Sequence, residues 1–580
     1  MSDKKVCPKA ICVIVYVIEM LLYASCLCIL YRSDAFFITY LVMVLVFCVG
    51  TTFNHLKKKE FSVIAALFAI LLSIAIVLPN HLLWQNRIVI LPVLTLGGWI
   101  GFYNVFRFLD TYASRLTWKR ANTKKVPVFL ITYVTLSVCY LTVFFLAYYP
   151  GNLSTDSFNQ LNQITSGIYN DHHPIFHTLL IKVFFDLGLE ISGDINAAVA
   201  FYSVFQILFM SFVFAFALHT LYKSGLKKMY LLVIGLLYLL LPYHILYSFT
   251  MWKDVSFSGV VLLFVLFCFR YTQNIGNKKL NLIFTGLSGI GVCLLRSNGV
   301  FAFGLLLLAG CIIMGKKNRS LIITLFIALL VCLGMKLTVL RLLNVTGTEK
   351  TEMLAVPLQQ VANVIKETDD LTERERELCE QLLDVDRIKD VYNPEIVDPI
   401  KRLIREKHNQ EVFTERSGEF VSLYLNTLLR HPGICLITWV DLTKGYWSGG
   451  YSYWIWSRKI DDNDLGVNRT VKNAFVDKAV DTYLRYYSKF PLSKLFNSIG
   501  LMVWANLIAV YIAITRKDVK GLFCALPPVM VIVTLLIATP VYAEFRYAYS
   551  VFCSLPVIMA IVTRPNIHTD MDNKMVRGEE

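Results

Sequence analysis

Long apolar runs separated by short polar stretches make up most of the 580-residue chain. Many of these runs approach the roughly 20 residues that a helix needs to cross a hydrocarbon core of about 30 Å. The pattern predicts an all-α integral membrane protein with about 14 transmembrane helices. The expected spans lie near 10–30, 36–53, 61–79, 88–106, 127–149, 196–221, 229–248, 255–271, 281–295, 299–314, 321–343, 497–514, 522–540 and 547–563.

Clusters of Lys and Arg fall in the short stretches between these runs, and they predict the orientation. Short loops rich in Lys and Arg face the cytoplasm in membrane proteins. All the clusters can be placed on one side of a plasma membrane if both termini are cytoplasmic. The clusters lie at 57–59, 115–125, 223–228, 278–279, 316–319 and 516–520.

Composition adds two exclusions. The net charge is +15, but the basic excess sits in loops between apolar runs, which marks topology and not a nucleic-acid partner. The chain has 14 cysteines, and none shows the Cys-x-x-Cys or Cys/His spacing of a metal site. The cysteines are therefore expected to pack as small apolar residues.

The stretch 173–191 is the exception to the regular alternation. Lys182, Asp186 and Glu190 recur there every four residues with apolar residues between them. Three charges on one face are costly in the bilayer interior but are compatible with a helix lying in the interface. We expect an amphipathic interfacial helix, and the alternative is a short spanning helix beside a wet cavity.

This threading predicts four regions. Residues 1–125 form an N-terminal accessory bundle of transmembrane helices, and 126–343 form a core that contains a first large extracytoplasmic loop, 150–195. An extracytoplasmic, mainly helical domain covers 344–496. The last transmembrane helices and a cytoplasmic tail cover 497–580.

The first outer loop carries the leading candidate for chemistry, Asp156 in "STDSFNQ". A carboxylate at the outer surface can deprotonate a sugar hydroxyl or bind a divalent cation. Capping of the following helix by residues 154–156 is an equally good interpretation. In "NDHHP", His172 and His173 can bind phosphate, sugar or metal. If a metal binds, Asp156 and Asp171 are the candidate carboxylate ligands. A turn before a helix is the alternative interpretation of this stretch.

A second candidate stretch is "SFTMWKDVSF", in an outward loop. Lys253 runs against the expected shortage of Lys in outward loops. Together with Trp252 and Asp254 it can contact a phosphate and a sugar or lipid. Interfacial anchoring with a local ion pair is the alternative interpretation.

Two further outward turns carry cations. Arg296 lies in "LLRSNGVF", and "AEFRYAYS" contains Glu544, Arg546 and Tyr547. With Lys253, three cations on separate turns depart from the positive-inside rule in the same direction. This favours a common anion at the outer face, and the planar guanidinium suits phosphate.

These features resemble the GT-C glycosyltransferases, many-spanning proteins that take sugars from a polyprenyl-phosphate carrier. More closely, "YYPGNLSTDSFNQ", "DHHPIFHTLL", "WKD", "RSNG" and "VPLQQVA" resemble an uncharacterised family of multi-pass membrane proteins of Gram-positive bacteria. The resemblance covers most of the chain from about residue 126 onward. It implies a GT-C-like bundle with interfacial helices.

The resemblance also implies roles for individual residues. Asp156 would be the catalytic base or, with Mg or Mn as a possible divalent cation, a metal ligand. Lys253, Arg296 and Arg546 would hold the lipid phosphate as it leaves an inverted anomeric centre. The chain departs from the common pattern because no second acid follows Asp156 and four spans precede the core-like region.

The stretch "EMLAVPLQQVANVI" opens the predicted outer domain. Glu352, Gln359 and Gln360 can contact sugar hydroxyls in the same cavity. Gln359 and Gln360 are equally compatible with ordinary positions on a helix.

The expected activity is therefore transfer of a sugar from a polyprenyl-phosphate donor to a cell-envelope glycan, lipid or protein at the outer face of the plasma membrane. One alternative is a transporter or flippase of lipid-linked sugars, although few charges are expected near the midplane. The other is a noncatalytic envelope-assembly protein. In that case Asp156, Lys253 and Arg546 should lie far apart.

Overall fold

A computed structural model describes residues 61–83, 90–113, 117–118, 126–315, 318–347, 349–368, 370–407 and 409–565. These residues form helices and irregular segments with four isolated β-bridges and no strand. The expected all-α class is confirmed for this part of the chain. The helices are α1 Val63–Val77, α2 Ile90–Ala113, α3 Val128–Val143, α4 Thr155–Ser166, α5 Ile175–Ser192, α6 Ile195–Lys223, α7 Lys228–Leu240, α8 Pro242–Ser248, α9 Lys253–Thr272, α10 Lys278–Leu295, α11 Gly299–Met314, α12 Arg319–Leu342, α13 Lys350–Met353, α14 Ala355–Thr368, α15 Glu373–Leu382, α16 Val385–Val391, α17 Asp398–Glu406, α18 Gln410–Glu415, α19 Ser417–Arg430, α20 Pro432–Thr443, α21 Ala474–Lys489, α22 Ser493–Phe496, α23 Ile499–Thr515, α24 Val519–Ile537 and α25 Tyr549–Val562.

Eight helices of the described residues are long and apolar enough to cross a membrane, or up to nine if the bent pair α7–α8 is one span. A multi-pass membrane protein is therefore supported, whereas the predicted count of fourteen is not confirmed. Two more apolar helices, α11 and α23, are shorter, and the predicted spans 10–30 and 36–53 lie outside the described residues, as do both termini. The eight are Val63–Asn80, Val128–Tyr148, Ile195–Lys223, Lys253–Thr272, Lys278–Leu295, Arg319–Leu342, Val519–Ile537 and Phe545–Val562.

The chain divides into two compact units. The first comprises 1–116, 447–449 and 514–517. Its helices α1 and α2 pack against each other, and Trp99 Nε1 donates to the carbonyl of Ala66 over 3.1 Å. The second comprises 117–446, 450–513 and 518–580 and contains every residue discussed below.

Within the second unit, the ends of the spans meet in two groups. At one group, Lys520 at the start of α24 donates to the carbonyl of Thr272 at the end of α9 over 3.0 Å. Arg564, just after α25, pairs with Asp518, just before α24, at 2.6 Å. Among the described residues, Lys223 at the end of α6 and Lys278 at the start of α10 belong to basic clusters expected in the cytoplasm, and both lie at this group of ends. The opposite ends of α9 and α10 carry Lys253 and Arg296.

The segment that follows α12 has its own apolar core. The amphipathic pattern of α14, α17 and α19 brings Leu and Ile side chains together, and most of α14 is buried. The described residues of 344–496 are mainly helical, as the sequence predicts, although 450–472 is irregular. A second core lies beneath α4 and α5, which pack on α6, and the 450–472 segment contributes Val467 to it.

Candidate functional site

The first turn of α4 presents the Asp156 carboxylate. Ser154, not Asp156, occupies the N-cap position, and its backbone N–H donates to Ser157 Oγ over 3.1 Å. Asp156 is therefore not needed as a cap. Its side chain remains 33% exposed, so the carboxylate is accessible to a partner.

Backbone pairing joins the start of α4 to the start of α9. The N–H of Asn152 donates to the carbonyl of Phe249 over 2.9 Å, and the N–H of Met251 donates back to Asn152 over 3.0 Å. Gly151 permits this approach because its φ is +137° and an added Cβ would lie 2.5 Å from Ser203 Oγ. The pairing places Asp156 near the turn that carries Trp252 and Lys253.

Arg546 contacts Asp156 directly. Its Nη1 donates to Asp156 Oδ2 over 2.6 Å, and its Nε pairs with Glu544. The guanidinium carbon lies 5.0 Å from the centre of the Trp252 ring, a cation–π distance. Trp252 is held in turn by a 2.8 Å hydrogen bond from its Nε1 to Ser154 Oγ. Three distant parts of the chain thus converge on one carboxylate.

The electrostatics of this cluster keep Asp156 ionised. Burial acts to raise the pKa of Asp156, but Arg546, Lys253 and His173 together lower it, and the net pKa lies well below the ordinary value. The carboxylate therefore stays charged throughout the physiological range.

Lys253 and His173 form a second polar pair in the cluster. Lys253 Nζ donates to His173 Nδ1 over 2.8 Å. Burial, and then Lys253, lower the pKa of His173 to about 2, so the imidazole is neutral and its proton resides on Nε2. Among the described residues, Nε2 has no hydrogen-bond partner, and no carboxylate lies within ion-pair distance of Lys253.

Asp254 and Arg296 lie behind this layer. They pair at 2.8 Å, and their side chains are only 1% and 5% exposed. Arg296 also donates to the carbonyl of Tyr547 over 3.3 Å, and its guanidinium lies 4.8 Å from the Tyr547 ring centre. This pair is closed to a substrate and instead positions Tyr547, the neighbour of Arg546.

The structure places three predicted site residues elsewhere. Glu352 pairs with Lys401 at 2.6 Å and with Arg405 at 2.9 Å. Gln359 and Gln360 lie in the core of the helical segment, where their amides donate to the carbonyls of Asn393 and Cys435. The helix α14 is buried on most of its surface, so these positions do not face the cluster.

The donor set does not suit a divalent cation. The described residues contain no group of three or more His, Cys, Asp or Glu side chains that could hold a metal ion. Asp171 is already paired with Lys336 at 3.0 Å, and it accepts from the N–H of Ile175 at the start of α5. Asp156 faces Arg546 and Lys253, whose positive charges oppose the binding of a metal cation there.

His172 stacks edge-on against His173, with ring centres 4.8 Å apart. The turn before α5 is present as expected, with Pro174 preceding the first helical residue. The helix α5 itself is not among the candidate spans. Its interfacial placement stays a prediction.

A buried polar network beneath the cluster was not predicted. His177 contacts Gln160 at 3.1 Å and the Tyr202 hydroxyl at 2.9 Å. Tyr202 donates to Gln206, whose amide donates to three carbonyls of the 247–250 turn at 2.7–3.1 Å. The network connects α4, α5 and α6 to the turn before Lys253. In the sequence, only the polar residues of "HTLL" after "HHP" indicated it.

The irregular segment 450–472 also contributes residues that sequence patterns missed. Trp454 is half exposed, and its ring centre lies 5.9 Å from that of Trp252. Asp461 accepts from the N–H of Thr155, next to Asp156, over 2.9 Å. No periodicity marks this segment, so only its aromatic content indicated a membrane-surface position.

A family model described as "Family of unknown function (DUF6020)" matches residues 161–575. The matched range contains every predicted site residue except Asp156, which lies just before it. No curated protein and no solved structure matches the chain.

Proposed function

We propose that this chain, which belongs to the family of unknown function DUF6020, is a membrane glycosyltransferase of the GT-C type. It transfers a sugar from a polyprenyl-phosphate donor to a cell-envelope glycan, lipid or protein. The reaction takes place at the outer face of the plasma membrane.

The observation that carries the proposal is the contact between Asp156 and Arg546, with Lys253 close enough to lower the pKa of Asp156. The three residues lie beside three different candidate spans. A protein that merely docks other envelope components has no need of such a convergence. Because the basic loops lie at the opposite ends of these spans, the positive-inside rule favours an extracytoplasmic cluster.

The charges suggest where a donor phosphate binds. Arg546 and Lys253 are the accessible cations, with Lys253 lacking a carboxylate partner among the described residues. A lipid phosphate that contacts both cations offsets their electrostatic effect on Asp156. The pKa of Asp156 then rises toward its ordinary value, which makes the carboxylate a better base.

The proposed chemistry is a direct displacement. Asp156 takes the proton of an acceptor hydroxyl, and the acceptor oxygen forms a bond to the anomeric carbon. The bond from that carbon to the phosphate oxygen breaks, and its electron pair stays on the polyprenyl phosphate. Lys253 and Arg546 stabilise the leaving phosphate, and the anomeric configuration inverts.

One observation favours a transporter or flippase of lipid-linked sugars instead. The helices α7 and α8 meet at a bend of 59°, the geometry of a broken span or a re-entrant loop. Broken helices often line substrate pathways in transporters. The polar side chain at this bend, His244, is buried and bonded to the Tyr549 hydroxyl at 2.8 Å. The break is therefore packed with protein side chains, which favours a supporting role.

Lipid-linked sugars in cells test the proposal. Lipids are extracted from cells that contain the wild-type chain, the Asp156→Asn variant or no chain, and are analysed by mass spectrometry. We expect one polyprenyl-phosphate sugar to accumulate equally in the last two. A transporter would instead retain its activity in Asp156→Asn, and unchanged lipid-linked sugars in cells without the chain would refute the transferase.

A further inference from the structure

A polar cavity lies next to the cluster and is not used by the chemistry above. Its volume is about 1170 Å³. One wall is α4, the floor is the 168–173 turn, and the far wall comes from α17, α18 and residues 346, 347 and 349. All these elements belong to the same compact unit.

The helix α4 connects the cavity to the proposed base. Asp156, Asn159, Gln163 and Ser166 are spaced by three, four and three residues, so they share one face of the helix. The last three line the cavity, and the first turn of the same face carries Asp156. A ligand in the cavity therefore extends toward the Asp156 carboxylate.

His173 provides a second connection. It lines the cavity, and on its other side its Nδ1 accepts from Lys253. The side chain is only 2% exposed, and its Nε2 has no partner among the described residues. A buried donor without a partner next to a polar cavity indicates a missing acceptor.

The chemistry of the lining selects the ligand class. Side-chain amides dominate the α4 wall, and Asn170 adds one on the floor. Amides both donate to and accept from hydroxyl groups. The opposite wall carries the carboxylates of Glu349, Glu411 and Glu415. Arg405, the cation among the described residues of this wall, is paired with Glu349 at 3.2 Å. The carboxylates left unpaired among these described residues repel anions.

We infer that this cavity binds the acceptor of the reaction, and that the acceptor is a hydroxyl-rich carbohydrate without acidic groups. The inference rests on the proposed function, and it adds a substrate class and a binding site to it. One end of the carbohydrate then presents its hydroxyl to Asp156 past His173.

Photo-crosslinking in cells tests the site without relying on catalysis. A diazirine side chain replaces Asn162, which lines the cavity, in the full chain carrying Asp156→Asn. A matched chain carries it instead at Leu429, which is 80% exposed on α19 and outside the cavity. After irradiation and proteolysis, mass spectrometry identifies carbohydrate attached to either position.

We expect adducts of neutral or amino sugars at Asn162 and not at Leu429. The added Asn159→Ala change should lower their yield by about fivefold, the loss of one neutral hydrogen bond of about 1 kcal/mol. Reversal of charge on the far wall, Glu411→Lys with Glu415→Lys, should admit acidic sugars. Acidic sugars on the unmodified wall, equal yields at both positions, or the absence of carbohydrate at Asn162 would each overturn the inference.

The outcome separates the two proposals. Accumulated donor lipid without a carbohydrate adduct would leave the transferase standing and remove the acceptor site. An adduct without accumulated donor lipid would support carbohydrate binding and remove the transfer reaction.

Discussion

Two regions of the second unit contain close pairs of a cation and an acid. The regions differ in whether the polar groups around these pairs all have hydrogen-bond or ion-pair partners. In the cluster, Arg546 contacts Asp156 at 2.6 Å. In the helical segment after α12, Lys401 contacts Glu352 at the same distance. The side chain of Lys401 is 0% exposed and that of Glu352 is 17% exposed, whereas Asp156 is 33% exposed. Distance alone does not distinguish a functional pair from a structural one.

The functional and the structural pair differ in how fully their surrounding charged groups are bonded. Lys401 also donates to the carbonyl of Pro540 over 2.5 Å, and Arg405 satisfies the second oxygen of Glu352. In the cluster, Lys253 has no carboxylate in ion-pair range and His173 Nε2 has no partner among the described residues. Unmet donors beside an accessible carboxylate leave places for a ligand, while the helical segment uses its charges to hold itself together.

The sharpest test of this contrast is Asp156→Asn. The change keeps the size of the side chain and removes its basicity, so transfer should fall by about 10²–10⁴-fold. The thermal unfolding temperature should stay close to that of the wild type, because Asn still accepts from Arg546. Initial rates of sugar transfer in membrane vesicles and unfolding in detergent measure the two effects.

A matched control is Asp186→Asn, which alters an exposed i,i+4 pair with Lys182 on α5. Such pairs contribute little, so both transfer and stability should be unchanged. Near wild-type transfer by Asp156→Asn would remove the proposed base.

The buried layer of the cluster should behave in the opposite way. Arg296→Met leaves Asp254 buried without its partner, and we expect a loss of about 3–5 kcal/mol in the free energy of unfolding. Denaturant unfolding in micelles measures it. The double change Arg296→Met with Asp254→Leu removes both charges and should recover most of that loss. A stable single variant would show that this pair does not support the cluster.

Lys253→Met tests the electrostatics of the accessible layer. Donor binding should weaken, and we expect kcat/KM for the donor to fall by about 30-fold, roughly 2 kcal/mol, for one lost charged hydrogen bond. Lys253 lowers the pKa of Asp156, so its removal raises that pKa. Asp156 then becomes protonated, and inactive as a base, at a higher pH than in the wild type.

The acid limb of the pH profile of kcat/KM should therefore move to higher pH in Lys253→Met. The charge-preserving change Lys253→Arg should leave the limb near its wild-type position. An unshifted limb in Lys253→Met would show that Lys253 does not act on the group that titrates.

The sequence predicted the members of the cluster better than their partners. Lys253, Arg296 and Arg546 stood out because each is a cation in a loop expected to lack them, a signal that is local in the chain. Nothing local indicated that Arg296 would pair with Asp254 and be buried, since that depends on how α9 and α10 pack.

Gln359 and Gln360 were predicted to belong to the site, but they lie outside it. Polar residues just after a span suggested a wall of the cavity, but α14 is buried among other helices of its segment. The polar cavity and Trp454 escaped prediction for a related reason. Trp454 comes from an irregular segment, and the cavity lining is assembled from separate elements, so no single period in the sequence marks all of it.

Apart from the Asp186→Asn control, the smallest effect is expected for Gln360→Leu, in the helical segment. Gln360 Nε2 donates to the carbonyl of Cys435 over 2.8 Å, while its Oε1 is buried and has no hydrogen-bond partner among the described residues. Leu loses that bond but also removes the unsatisfied oxygen, so unfolding should become easier by only about 1 kcal/mol. Transfer per folded molecule should not change, because the side chain lies in the core of the segment, away from Asp156. A large loss of transfer at unchanged stability would return Gln360 to the substrate site and remove the distinction between the two regions.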